Sequence, residues 1–173
     1  MDEKGEKVEQ GEVGELIVKG PGVMTCYYRD EKATKEVLKD GWLYTGDMAE
    51  EDADGFILLV ERKKDVIISG GENLYPVQIE DYIRTNEAVH DVAVIGLPDK
   101  RLGEIAAAII EVKPEYTLTE EEVNTFCMKL PRYKRPRKVF FKDIPRNPTG
   151  KIEKNTLRKM FCSEHLVEEQ NRG

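Results

Sequence analysis

Two apolar runs constrain this chain more than any other feature. HDVAVIGLPD (90–99) and EIAAAIIEVKP (104–114) carry apolar residues side by side rather than at alternate positions. A strand with one wet face alternates, whereas a strand covered on both faces reads as a continuous apolar run. Both runs are therefore expected to be buried strands. Helical segments accompany them. In PVQIEDYIRTN (76–86), Pro76 sits near the first turn, and Ile79, Tyr82 and Ile83 share one face. LTEEEVNTFCMKL (118–130) carries the strongest helix signal. Thr119 and Glu122 form a capping box and Leu118 and Val123 a hydrophobic staple, while Val123, Phe126, Cys127 and Leu130 make an apolar stripe. NTLRKMFCSEH (155–165) is a terminal helix turning Leu157, Met160 and Phe161 inward. DVIISGGENLY (65–75) is a hairpin with a Gly-Gly turn, and KVFFKDI (138–144) a further strand. Residues 65–160 thus read as a small α+β unit.

Residues 11–61 have a different texture. GELIVKGPGVMTCYY (14–28) reads as a strand ending at a Pro-Gly turn, then more extended chain. DEKATKEVLKDG (30–41) is a short helix with Asp30 as N-cap and Gly41 as its stop. GWLYTGDMAEEDADGFILLVER (41–62) is strand, a turn at Asp54–Gly55, then strand. With few strand partners inside the segment, such a two- or three-stranded piece is weak as an independent domain. It points to part of something larger. Between the two regions, ERKKDVI (61–67) sets four charged residues in succession, Arg62 to Asp65, which solvates a junction well.

At 39% apolar and 35% charged residues, with clear apolar runs, the chain is expected to fold rather than remain disordered. No apolar run approaches the roughly 20 residues needed to span a bilayer. MDEKGEKVEQ lacks the features of a signal peptide. The cysteines, Cys26, Cys127 and Cys162, are scattered and odd in number, which suits a reducing cytoplasm rather than a disulfide framework. They show no metal spacing, His90 and His165 lie far apart, and no metal site is expected. The net charge of −7 hides an asymmetry. From Lys129 to Lys159 there are 12 Lys and Arg against Asp143 and Glu153, which puts +10 there and −17 on the rest. Such a segment is either a solvated rim or an attractor for a phosphate-rich ligand. The acidic remainder argues against a general nucleic-acid binder.

Three motifs carry a resemblance. GWLYTGD, ERKKDVIISGGENLYPVQIE and PRNPTGK, in this order and spacing, resemble three late motifs of the adenylate-forming (AMP-binding) enzymes. GEVGELIVKGPGVMTCYY and HDVAVIGLPDKRLGE resemble the CoA-ligase branch, near fatty-acid and aryl-acid ligases. The resemblance runs from about Gly11 to Met160. It implies a two-step reaction in which a carboxylate and ATP give an acyl-adenylate, and CoA then displaces AMP. It also implies a division of the chain: residues 1–61 ending a large N-terminal domain, 62–65 a hinge, and 66–173 a small mobile C-terminal domain that rotates between the steps.

Residue by residue, the resemblance implies the following. Asp47 takes both ribose hydroxyls of ATP, a task that suits a carboxylate acceptor; without the motif, an Asp after Gly46 reads as closing a turn. Arg62 contacts the ribose region, where composition alone gives a surface ion pair. Lys64 is the hinge, which needs changeable backbone torsions and solvation more than a special side chain. Gly70 and Gly71 form a hairpin approaching the pantetheine arm of CoA, though a tight turn alone would also select glycine. Lys151 reaches the carboxylate substrate and the α-phosphate, where an ammonium stabilises developing charge. In RYKRPRK (132–138), Tyr133 packs on the adenine of CoA, with Arg135 and Arg137 near its phosphates.

Gln78 departs from the Glu common at its position and is expected on a helix surface. The family's phosphate loop, adenine motif and acyl pocket lie upstream of the motifs found here, and SGGENLYP is no substitute phosphate loop. Mg2+ is therefore expected to be held mainly elsewhere, and this chain alone is expected to make no adenylate. Two other readings stand beside the CoA ligase: a stand-alone CoA- or AMP-binding or docking module, and an adenylation-domain tail serving a carrier protein.

Overall fold

The computed structural model describes residues 1–2 and 5–171. The chain divides into two compact units, Met1–Lys64 and Asp65–Gly173. It is of mixed α+β type, as expected.

In the first unit, four strands form one antiparallel sheet: β1 (Gly14–Val18), β2 (Leu38–Lys39), β3 (Trp42–Glu51) and β4 (Ile57–Arg62). β3 is the hub. β1 runs along one of its edges, and β2 and β4 share the other. The segment therefore has more internal pairing than a two- or three-stranded piece. Helix α1 (Glu31–Val37) is capped by Asp30, whose carboxylate accepts from the Ala33 N–H at 2.9 Å. Gly41 does not stop this helix, which ends at Val37. Asp40 and Gly41, at φ 52° and 80°, instead turn β2 into β3. Both lie in the left-handed region that two-residue hairpins require. The β3–β4 turn is closed by Asp52, whose carboxylate accepts from the Asp54 and Phe56 N–H groups at 2.9 Å each.

The second unit is a five-stranded sheet of β5 (Ile67–Ser69), β6 (Glu72–Leu74), β7 (Val89–Asp99), β8 (Gly103–Val112) and β9 (Lys138–Phe141). The two apolar runs are β7 and β8, an antiparallel pair in which β8 is the hub of the sheet and β7 pairs with it alone, and β9 joins β8 in parallel. Side chains alternate across the sheet, so a continuous apolar run feeds both faces. Val92 and Val94 enter one cluster with Ile79 and Ile83 of α2 (Pro76–Arg84) and Val123 of α3 (Glu120–Phe126). Ala93, Ile95 and Leu97 enter the other with Leu157 and Phe161 of α4 (Lys154–Asn171).

The capping box of α3 is present, with Thr119 accepting from the Glu122 N–H and Glu122 accepting from the Thr119 N–H. That helix is shorter than its stripe suggested. It gives way to a 3-10 turn at Cys127–Lys129, and Leu130 is extended at ψ 149° ahead of Pro131. A residue before proline is driven out of the α region. Tyr82 is only half buried; its hydroxyl donates to the Phe126 carbonyl at 3.0 Å, tying α2 to α3. The fully covered polar residue of α2 is Glu80, which accepts from the Val94 N–H at 2.7 Å and pairs with Lys154 at 2.8 Å. Among the described residues, no helix is long and apolar enough to cross a membrane.

Candidate functional site

The first unit brings Asp47 and Arg62 together. They face each other across β3 and β4, and Arg62 Nε lies 2.7 Å from Asp47 Oδ1. Asp47 is thus a mid-strand residue rather than a turn closer. A register pairing of this kind fixes the two side chains by backbone geometry. Thr45 braces the position, donating to the Leu16 carbonyl at 2.7 Å and accepting from the Asp47 N–H at 3.1 Å. Sequence reading missed Glu15. Its carboxylate accepts from the Gly46 N–H at 3.3 Å and pairs with Lys63 at 2.7 Å. No spacing rule links positions 15, 46 and 63; only the β1–β3 and β3–β4 pairings bring them together.

The boundary between the units falls in a 3-10 turn at Lys63–Asp65. Both neighbours of Lys64 are fastened. Lys63 is held by Glu15, while Asp65, which is buried, pairs with Arg158 at 2.7 Å. Lys64 itself is exposed.

Gly70 and Gly71 form the tip of the β5–β6 hairpin at φ 61° and 89°. Two consecutive positive φ values are what a tight hairpin turn demands, so the turn alone accounts for both glycines. The space in front of Gly71 is open, whereas a Cβ on Gly70 would meet Leu102 at 3.1 Å. Glu104 steadies this hairpin, accepting from the Ile68 N–H at 3.1 Å.

The basic segment separates into two kinds of cation. Arg135 is turned inward. Its Nε donates to the Leu130 carbonyl at 2.9 Å and its Nη2 to the Met128 carbonyl at 2.7 Å, closing the end of the 3-10 turn. Lys134 donates to Gln78 at 2.7 Å. Gln78 is therefore half buried and holds the loop, rather than lying idle on a helix surface. Tyr133, 47% exposed, and Arg137 remain on the outside.

Lys151 ends a small hairpin with a bridge between Arg146 and Ile152. Asn147 organises the tip. Its side-chain oxygen accepts from the Thr149 N–H at 3.0 Å, the Thr149 hydroxyl at 2.7 Å and the Lys151 N–H at 2.9 Å. Its own N–H donates to the Lys151 carbonyl at 2.9 Å, and Gly150 takes φ 81°. Arg146 donates to the Gly150 carbonyl and pairs with Asp91, a buried carboxylate on β7. The backbone of Lys151 is thus held on both sides while its side chain is exposed.

Among the described residues, no group of three or more His, Cys, Asp or Glu side chains converges as a metal site. The described residues do not form a Mg2+ site. His165 lies outside the residues whose side chains are described. Burial pushes the Cys127 thiol up to about 11, which makes it inert at neutral pH.

Comparison with known proteins matches these features to one family. The profile for the AMP-binding enzyme C-terminal domain matches residues 78–151. A long-chain-fatty-acid–CoA ligase of Mycobacterium tuberculosis, FadD13, is 46% identical over 157 residues, covering 90% of this chain and 31% of that protein. A 2-succinylbenzoate–CoA ligase of Bacillus cereus is 42% identical over 149 residues, 85% of this chain and 31% of that protein. The crystal structure of ATP-bound MatB from Rhodopseudomonas palustris superposes with a TM-score of 0.86 at 36% identity, over 92% of this chain and 32% of that one. The chain thus spans about a third of the length of the relatives it matches. It belongs to the adenylate-forming, AMP-binding enzymes of the acyl-CoA synthetase group and corresponds to their C-terminal portion.

Proposed function

We propose that this chain works as the C-terminal part of an ATP-dependent carboxylate–CoA ligase acting on a fatty or aryl acid in the cytoplasm. In the first step a carboxylate oxygen attacks the α-phosphorus of ATP, the bond to the bridging oxygen breaks, and pyrophosphate leaves. In the second, the CoA sulfur attacks the acyl carbonyl, AMP departs with the bonding electrons, and the thiol proton passes to solvent. Lys151 stabilises charge developing at the α-phosphate in the first step only. Asp47 accepts from the ribose hydroxyls, with Arg62 fixing its carboxylate and contacting the ribose region.

Residues 1–61 end the large domain, 62–65 form the hinge and 66–173 the mobile domain. Rotation at Lys64 changes which face of the mobile domain meets the substrates. The pairs Lys63–Glu15 and Asp65–Arg158 support a hinge confined to that residue. In the second step the Gly70–Gly71 backbone lies along the pantetheine arm, and Tyr133 and Arg137 meet the nucleotide end of CoA. Arg135 serves that loop from within, through the carbonyls it already binds.

The observation that carries this reading is the Lys151 turn, in which the Lys151 N–H and carbonyl are both hydrogen-bonded while its side chain is exposed. A solvated surface lysine needs no such support. The test is a product balance for the complete synthetase with ATP, Mg2+, CoA and a panel of fatty and aryl acids. One AMP, one pyrophosphate and one thioester per acid consumed are expected. Formation of ADP and phosphate in their place would overturn the reading.

A further inference from the structure

The Lys151 turn is internally rigid, but rigidity within a turn does not fix where the turn sits. Its own bonds run among residues 147–151, through Asn147, Thr149, Gly150 and Lys151. They would survive if the whole hairpin swung as a body. Ile144 and Ile152 pack its two arms against the core, and Arg146 links its tip to the sheet through polar contacts. One guanidinium nitrogen donates to the Gly150 carbonyl, next in chain to Lys151, and the other pairs with Asp91.

Asp91 is itself immobilised. It is 7% exposed, stands on strand β7, accepts from the Val92 N–H at 2.8 Å and has Arg84 at 3.5 Å. A second strut supports the approach to the hairpin, where the Ile144 N–H donates to Glu111 of β8 at 3.3 Å.

We propose that Arg146 and Asp91 are positioning residues for Lys151, together transmitting the rigidity of the β7–β8 sheet to the adenylation lysine. The proposal rests on the role given to Lys151 above. A lysine has a long flexible stem, so the stabilisation it gives a transition state depends on where its Cα is held. Misplacement by about 1 Å at a reacting centre costs on the order of 100-fold in rate. Arg suits the task because its planar fork binds a carboxylate and a carbonyl at once, which the point charge of Lys cannot do.

The test uses the complete synthetase and two separate rates. One is acid-dependent pyrophosphate release without CoA; the other is thioester formation from supplied acyl-adenylate and CoA. Arg146→Ala and Asp91→Asn are expected to slow pyrophosphate release by about 10- to 100-fold, through kcat rather than the KM for ATP. Thioester formation should stay within about twofold, since a residue acting only in one step affects only that rate. Arg146→Lys should recover part of the loss. Combining Arg146→Ala with Asp91→Asn should cost no more than Arg146→Ala alone, because the two act as one device.

Parallel loss of both rates would mean a merely structural role and overturn the proposal. Unchanged pyrophosphate release in Arg146→Ala, with Lys151→Ala inactive, would overturn the proposal alone. Indifference to Lys151→Ala would overturn the underlying reading and the proposal with it. Should Arg146→Ala fail to fold, Arg146→Lys and Asp91→Asn carry the same test.

Discussion

In the unit of residues 65–173, a five-stranded sheet is covered on both faces, and Ile95, Ile109, Ile110 and Leu157 are wholly buried. In the unit of residues 1–64, the four-stranded sheet keeps its apolar side chains in the open. Phe56 is 68% exposed and Leu59 67%, with Ile57 and Leu58 about half exposed. Among the described residues of that unit, Ala49 alone of the apolar side chains is buried. A cleft of about 590 Å³ opens beside the sheet, lined in part by Leu16, Ile17, Trp42 and Ile57. Yet the strand sequences look alike. FILLV (56–60), which leads into β4, is as continuous an apolar run as VAVIGL in β7. Such a run is patterned for cover on both faces, and among the described residues of the first unit no second layer supplies it, α1 having no buried residue. An exposed apolar surface of this kind marks contact with something else. A large domain extending beyond this chain would be that partner.

The comparison breaks or holds most visibly on excision. Residues 65–173 produced alone should unfold in one cooperative thermal transition followed by circular dichroism, and residues 1–64 alone should show none. A cooperative melt of the isolated first unit would end the contrast. Point substitutions sharpen it. Leu157→Ala should cost about 2–5 kcal/mol in urea unfolding, the usual range for a buried leucine. Leu59→Ala in this chain should cost no more than about 0.5 kcal/mol, as at an exposed site. In the complete synthetase the Leu59 value should rise toward that of Leu157; equal small values in both would mean that β4 is never covered.

A smaller effect lies in the local bonds of the second unit. Thr119→Ala should cost about 1 kcal/mol by removing the cap of α3. The Thr119 hydroxyl and then its N–H hold the Glu122 carboxyl below the ordinary carboxylate value. A carboxyl whose pKa is lower folded than unfolded stabilises fully above the unfolded value, and the gain is lost as pH falls through the folded one. Glu122→Gln should therefore lose that gain at neutral pH, and the difference in stability from the unaltered chain should vanish as pH falls through the folded value.

Much of the second unit was legible because its signals are local. The capping box, the Gly70–Gly71 hairpin and the runs of β7 and β8 are each read within a dozen residues. Long-range pairing was not legible. Glu80 reads as one more charge on a polar helix, and only the packing of α2 against β7 and the reach of Lys154 from the start of α4 show it buried and paired. Arg135 looks like any cation in a basic loop, until the carbonyls of Met128 and Leu130 are found around it. Motif spacing marked Asp47, Arg62 and Lys151, and PRNPTGK contains Arg146 without showing its partner, but nothing local pointed to Glu15 or Asp91. Residues proposed to meet a ligand stand in motifs, whereas partners distant in sequence are joined to them only through the fold.

The central claim is that Lys151 serves adenylation and nothing later. The most direct test is Lys151→Ala in the complete synthetase, with the two half-reactions measured separately. Acid-dependent pyrophosphate release should fall by about 100-fold or more, as for loss of a group that stabilises transition-state charge. Thioester formation from supplied acyl-adenylate should remain close to that of the unaltered enzyme. Equal losses in both half-reactions, or no loss in the first, would contradict the account.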